Sequence, residues 1–135
     1  MSIVVDSSAI MVILKLEEDA ARIGACLIQA ERRWTSVASY IECGVVLSRH
    51  FGRDGLARLP ELMARAGIET VAVDDQQAEI AIEAYLRFGK GSGHRANLNF
   101  GDCFAYALAK TQNLPLLFKG EDFIHTDIEP AMKPA

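Results

Sequence analysis

Cysteine is scarce in this chain: Cys26, Cys43 and Cys103 are odd in number, far apart in 135 residues and set among apolar neighbours. They fit reduced core thiols better than a disulfide framework, and no CxxC or Cys/His zinc spacing occurs. No uncharged apolar run approaches the roughly 20 residues of a membrane span. Met1 to Asp6 has neither a basic start nor a cleavable apolar region, so the expectation is a soluble, cytoplasmic protein. His50, His94 and His125 never fall in HxxxH spacing, and there is no GxSxG elbow, so acyl-transfer chemistry has no visible nucleophile. The glycines near Gly89 to Gly93 lack the GxxxxGK[ST] order of a phosphate-binding loop. Positive charge is also short: 14 Lys and Arg against 18 Asp and Glu give a net charge of −4. Any nucleic-acid binding must therefore use a local basic patch or bound cations, since the overall field is repulsive to phosphate.

The chain does have apolar material. Half of its residues are hydrophobic at a length typical of one domain, which excludes a disordered or fibrous protein and predicts a single domain over 1–135. Ser2 to Val5 reads as a strand that stops at Asp6-Ser7-Ser8, and Ile10, Ile13 and Leu14 follow at helical spacing, with Ser7 or Ser8 available as cap. Helices are predicted over Glu17 to Glu31, with Ala20, Ile23, Leu27 and Ile28 as the buried stripe, over Ser36 to His50, and over Asp54 to Arg65 closed by Gly67. Trp34 and Thr35 read as a short extended link. Ile68 to Val73 alternates like a strand, and Asp74 and Asp75 open a helix whose apolar stripe is Ala78, Ile82, Tyr85 and Leu86. Phe88 to Gly101, with four glycines plus Lys90, His94 and Arg95, reads as a mobile basic loop. An alanine-rich helix starts at or beside Asp102, Leu114 to Phe118 reads as a buried strand, and Thr126 to Ile128 as a small edge element before a frayed tail. Strands alternating with helices predict an α/β sandwich around a mostly parallel sheet, whose ligands bind at the carboxyl ends of the strands.

Four acids stand out because each lies in or beside an apolar stretch, where a charge is costly unless paired or metal-bound: Asp6, Glu42, Asp102 and Asp122. Gathered together they would raise one another's pKa, and a divalent cation is the natural compensating partner; oxygen donors favour Mg²⁺ or Mn²⁺ over zinc. Each acid also has a plain structural reading. Asp6 and Asp102 can cap helices, Glu42 can pair with a buried arginine, and Asp122 can be an ordinary turn acid. Lys90, His94 and Arg95 suit phosphate contacts or a solvated loop equally. A phosphoacceptor receiver and an aspartyl phosphatase, suggested by Asp6 and Lys119, both fail on order: the phosphatase pattern needs an acid where Ser8 stands, and a receiver needs its acid on a middle strand.

The segments IVVDSSAIMVIL, SVASYIECGVVL, NFGDCFAYALAK and LPLLFKGEDFIHTDI, in this order over nearly the whole chain, resemble a PIN-domain ribonuclease of the VapC toxin type. The resemblance implies a three-layer α/β/α sandwich and a Mg²⁺- or Mn²⁺-dependent endoribonuclease of a toxin–antitoxin system. It also implies a homodimer silenced by a VapB-type antitoxin, with RNA as substrate. Position by position it implies that Asp6, Glu42 and Asp102 are catalytic acids, with Asp6 and Asp102 on the metal. Ser7, where the family usually has Thr, keeps a hydroxyl beside the site; with RNA as substrate, Lys90 and Arg95 of the basic loop are the expected contacts to its backbone. The fourth acid is the one departure: the family commonly has Asp immediately after the last core strand, where this chain offers Gly120, so Asp122 is the choice and Asp127 the runner-up. A catalytically inactive PIN-like module that only binds RNA or protein is the alternative reading.

Overall fold

The computed structural model describes residues 1–133. Four short strands, β1 (Ile3–Val5), β2 (Arg33–Ser36), β3 (Ile68–Val71) and β4 (Leu116–Leu117), form one sheet in the order β3-β2-β1-β4, and every pairing is parallel. The helices are α1 (Ser7–Leu14), α2 (Ala20–Gln29), α3 (Val37–Phe51), α4 (Arg58–Ala66), α5 (Asp75–Phe88) and α6 (Asp102–Gln112).

Strand alternation sorts them into layers. Ile3 and Val5 point to one face, where they pack with Ile10, Ile23, Leu27, Cys43, Leu47, Leu59 and Met63 of α1 to α4. Val4 points to the other, into a cluster built by Ala81, Ala84 and Phe88 of α5 and Ala105, Tyr106 and Leu108 of α6. The result is the expected α/β/α sandwich. The chain leaves β1 toward β2 and β3 on one side and returns to β4 on the other, so the strand order reverses between β1 and β4. In open parallel sheets that reversal opens the crevice in which ligands bind, at the carboxyl ends of the two strands. Here those ends are Asp6 and the Phe118 to Asp122 turn.

Several expectations change in detail. Trp34 and Thr35 belong to a full strand, with Thr35 Oγ1 donating to the Val5 carbonyl at 2.7 Å. The acids Glu17, Glu18 and Asp19 precede α2 instead of forming its first turn, and Ile28 is 79% exposed. The stripe assigned to α5 is largely outward: Ile82 and Leu86 are exposed, while Gln77, Ala81, Ala84 and Phe88 are buried. Small alanines let α5 lie close to α6, so packing distance and not side-chain size selects the inner face. The Phe88 to Gly101 loop is pinned: Leu98 N donates to the Phe88 carbonyl, Lys90 N to the Leu98 carbonyl, and Ala96 and Leu98 are buried. The expected frayed tail instead returns to the sheet, where Ala131 N donates to the Leu116 carbonyl at 2.8 Å; residues 134–135 lie outside the described residues. No edge strand forms at Thr126 to Ile128, which follow a 3-10 turn at Phe123–His125.

Candidate active site

Asp6 follows β1 directly and is the N-cap of α1; neither Ser7 nor Ser8 takes that place. Its Oδ2 accepts from Ser8 N at 3.0 Å, while its Oδ1 is buried with no hydrogen-bond partner. Capping and a functional role are thus compatible, because the cap occupies one oxygen only. Burial, reinforced weakly by the charge of Glu42, pushes the Asp6 pKa up to about 6 against the opposing bonds from Ser8 and Ser7.

Asp102 is the first residue of α6, and its carboxylate is held from the segment that precedes the helix. Asn99 Oδ1 accepts from Asp102 N at 2.8 Å and Asp102 Oδ2 accepts from Asn99 N at 3.0 Å, the reciprocal pair of a capping box. Again one oxygen is held and the other is free of hydrogen bonds among the described residues. Burial first, then the negative charges of Asp6, Asp122 and Glu42, raises the Asp102 pKa to about 7 despite the Asn99 bond. Asn99 is the functional neighbour that sequence reasoning missed. The Asn-x-x-Asp spacing before an apolar helix was its signal.

Glu42 sits in the second turn of α3, whose start is fixed by Ser36 capping Ala38 N. Its Oε1 accepts from Ser7 Oγ at 2.6 Å, so the Ser7 hydroxyl acts on an acid of the site. No Lys or Arg pairs with Glu42 among the described residues, which removes the buried ion-pair reading. Gly101 makes room for it: a Cβ there would stand 2.7 Å from Glu42 Oε2 and 3.0 Å from Oε1. A side chain at 101 would fill the space in which this carboxylate lies against the start of α6.

Asp122 is exposed at the head of the 3-10 turn and near enough to act on the charge of Asp102. Ser8 Oγ accepts from Lys119 N at 3.0 Å and so ties the Asp122 turn to the head of α1. Asp127 lies elsewhere. It accepts from Tyr106 Oη at 2.7 Å and Lys110 Nζ at 3.0 Å, with Arg87 at 4.0 Å, and is a structural clamp on α6. Lys90 and Arg95 are exposed on the pinned loop that leads into Asn99 and pair with none of these acids among the described residues.

The donor set suits a hard cation with much of its water retained. Among the described residues no three His, Cys, Asp or Glu side chains converge into a ready-made cage. Mg²⁺ does not require one, since it is usually held by one or two carboxylates and keeps several waters. The orphaned Asp6 Oδ1 and the raised pKa of Asp102 are the marks of carboxylates lacking a counter-charge.

The PIN-domain family profile matches residues 3–129. Ribonuclease VapC30 of Mycobacterium tuberculosis is 47% identical over 131 residues, covering 97% of this chain and 99% of that protein. The chain belongs to the PIN-domain family, in its VapC ribonuclease branch. Solved VapC structures share the fold at lower identity. VapC20 of M. tuberculosis, described as a sarcin-ricin loop cleaving toxin, superposes with a TM-score of 0.79 at 16% identity, covering 98% of this chain and 99% of its own. VapBC-5 of M. tuberculosis, described as a member of the VapBC family of toxin-antitoxin systems, gives a TM-score of 0.62 at 24% identity, covering 98% and 95%. Within this PIN domain the acid crevice stands where the parallel sheet reverses its strand order, and the Asp127 clamp belongs to the packing of α5 and α6.

Proposed function

We propose that this chain is a Mg²⁺- or Mn²⁺-dependent endoribonuclease, the toxin of a VapBC-type toxin–antitoxin system, acting in the cytoplasm. The observation that carries the chemistry is the pair Asp6 and Asp102, each held through one oxygen by a backbone N–H, that of Ser8 in α1 and that of Asn99 just before α6, and neither paired with a cation among the described residues. The names of the VapC relatives supply the substrate class, RNA. Asp6 and Asp102 would hold the ion; when bound, such an ion lowers the pKa of a water and neutralises charge building on a phosphodiester. Glu42, oriented by Ser7, and Asp122 would complete the acidic pocket through water-mediated contacts. Lys90 and Arg95 would draw the RNA backbone toward the pocket against the overall negative charge.

A VapB-type antitoxin is the partner suggested by the complexes among its structural neighbours. A homodimer is supported by α5. Its outer face exposes Ile82, Tyr85 and Leu86 beside Phe100. Asp74, Asp75 and Glu79 lie at or before its first turns and Lys90 just beyond its end, so an antiparallel meeting of two copies would bring opposite charges together across a two-fold axis.

The test is cleavage of a total RNA pool by purified, antitoxin-free protein with Mg²⁺ or Mn²⁺, with EDTA, and with Asp102→Asn as control. Discrete metal-dependent fragments, absent from the variant, support the nuclease. Metal-independent cleavage, or fragments undiminished in the variant, would overturn it.

A further inference from the structure

We propose that Ser39 is a positioning residue of the acid crevice: its buried hydroxyl, one turn before Glu42 on α3 and beside the end of β1, holds an internal water against the inner oxygen of Asp6 and so fixes that carboxylate for the ion. The inference rests on the metal-dependent nuclease reading above and deepens it by one residue. Among the described residues, the buried polar or charged side chains are those of Asp6, Thr35, Ser36, Ser39 and Gln77. Four of these five gather where β1 and β2 end. Thr35 Oγ1 donates to the Val5 carbonyl and Ser36 Oγ accepts from Ala38 N, so both are satisfied. Asp6 Oδ1 and Ser39 Oγ are left without a partner. The remaining orphaned atom, Gln77 Oε1, belongs to α5, where the Gln77 Nε2 donates to the Ala72 carbonyl.

Two sets of contacts bracket Ser39 against Asp6. In the parallel register Val4 lies beside Trp34, so two residues further on Asp6 comes beside Ser36, the N-cap of α3. The bond from Thr35 to the Val5 carbonyl holds that register to its end. From the other side, Glu42 and Cys43 both reach Ser7, the residue after Asp6. Glu42 Oε1 accepts from Ser7 Oγ at 2.6 Å, and Cys43 Sγ donates to the Ser7 carbonyl at 3.8 Å. At about 100° per residue, Ser39 points about 60° to one side of Glu42 and about 40° to the other side of Cys43. It therefore faces between them, about 5 Å nearer to Ser36 along the helix. Ser39 is 1% exposed, and its hydroxyl makes no bond back to the preceding turn, the usual outlet of a helical serine. A buried hydroxyl and a buried carboxylate oxygen that both lack partners are costly, and internal waters are what ordinarily join such groups. A water at this junction accepts from Ser39 Oγ and donates to Asp6 Oδ1. Outer partners of this kind orient the side chains that hold a metal.

The experiment is calorimetric titration of Mn²⁺ into the full chain, comparing the parent with Ser39→Ala, Ser39→Thr and Ser48→Ala, alongside melting curves of each metal-free protein. Alanine favours the helix and leaves every backbone bond in place, so Ser39→Ala is expected to stay folded. It should nonetheless bind Mn²⁺ about tenfold more weakly. Ser39→Thr returns the hydroxyl and should return most of that affinity. Ser48 donates its hydroxyl to the Val45 carbonyl nearer the other end of the same helix, so Ser48→Ala should bind like the parent. RNA cleavage by Ser39→Ala should fall at subsaturating Mn²⁺ and recover as the ion is raised, the pattern of weakened ion binding and not of a disturbed fold. Unchanged Mn²⁺ affinity in folded Ser39→Ala would overturn the proposal. So would a threonine variant that melts like the alanine one and binds no better, or an equal loss in Ser48→Ala. The parent protein, measured first, separates the two readings: if it binds no Mn²⁺, the metal-dependent reading fails too, whereas binding that is insensitive to Ser39 removes the positioning role alone.

Discussion

Asp102 opens α6 and Asp127 packs against it, yet they sit in opposite electrostatic settings. Asp127 meets Tyr106 and Lys110, with Arg87 at 4.0 Å; burial alone would raise its carboxyl, but the bonds from Tyr106 and Lys110 and the Lys110 charge outweigh it and its pKa is lowered. Asp102 meets Asn99 and three other acids, and its pKa is raised to about 7. The contrast separates an acid that stabilises the fold from one that the fold merely tolerates. A negative group left half-buried without a counter-charge lowers stability, and its persistence points to a ligand that supplies the missing charge.

The comparison can be broken most forcefully at Asp102. Asp102→Asn, or Asp6→Asn, is expected to reduce RNA cleavage by more than about 100-fold. In the metal-free protein at pH 8, Asp102→Asn should also raise stability by roughly 1–3 kcal/mol, because the amide does not demand ionisation in a desolvated site. Chemical denaturation at matched pH would check this, and a loss of stability would contradict it.

A smaller effect is expected from Gly101→Ala. The added methyl displaces the Glu42 carboxylate, the mobile end of a side chain, so melting should barely change while cleavage falls roughly 10- to 100-fold. Equal losses of activity and stability would mean that Gly101 serves packing alone.

The pH dependence sharpens the same contrast. Asp6 and Asp102 hold their protons to about pH 6 and about pH 7 in the folded chain, against 3.8 for an ordinary aspartate. Over that window the folded state binds more protons than the unfolded one, so metal-free stability should fall as pH rises from about 4 to about 7. Saturating Mn²⁺ should reverse part of the loss at the upper end. Denaturation curves across this range, with and without the ion, provide the check. The smallest change is expected from Asp127→Asn, which should cost about 1 kcal/mol of stability and leave cleavage within about twofold below the melting transition.

Much of the crevice was legible from sequence because strand ends and helix starts leave local marks. Asp6 after an apolar run and Asp102 before an alanine-rich helix are each placed by chain direction alone. Glu42 was legible because an acid in mid-helix has no capping role. The fourth acid was not, since Asp122 and Asp127 differ only in what surrounds them in space, and Tyr106 and Lys110 reach Asp127 from another element. The inner face of α5 was misread for a related reason: Ile82, Tyr85 and Leu86 share a helical stripe as well as Ala81, Ala84 and Phe88 do, and only the close approach of α6 decides between them. The mobile loop was misread because glycine content says nothing of the buried Ala96 and Leu98 that anchor it.

The most direct measurement is calorimetric titration of Mn²⁺ into the metal-free protein and into Asp6→Asn, Asp102→Asn and Asp127→Asn. Binding that disappears in the first two variants and persists in the third would bear out the distinction between the uncompensated and the compensated acids. Full-strength binding to Asp102→Asn, or its loss in folded Asp127→Asn, would contradict it.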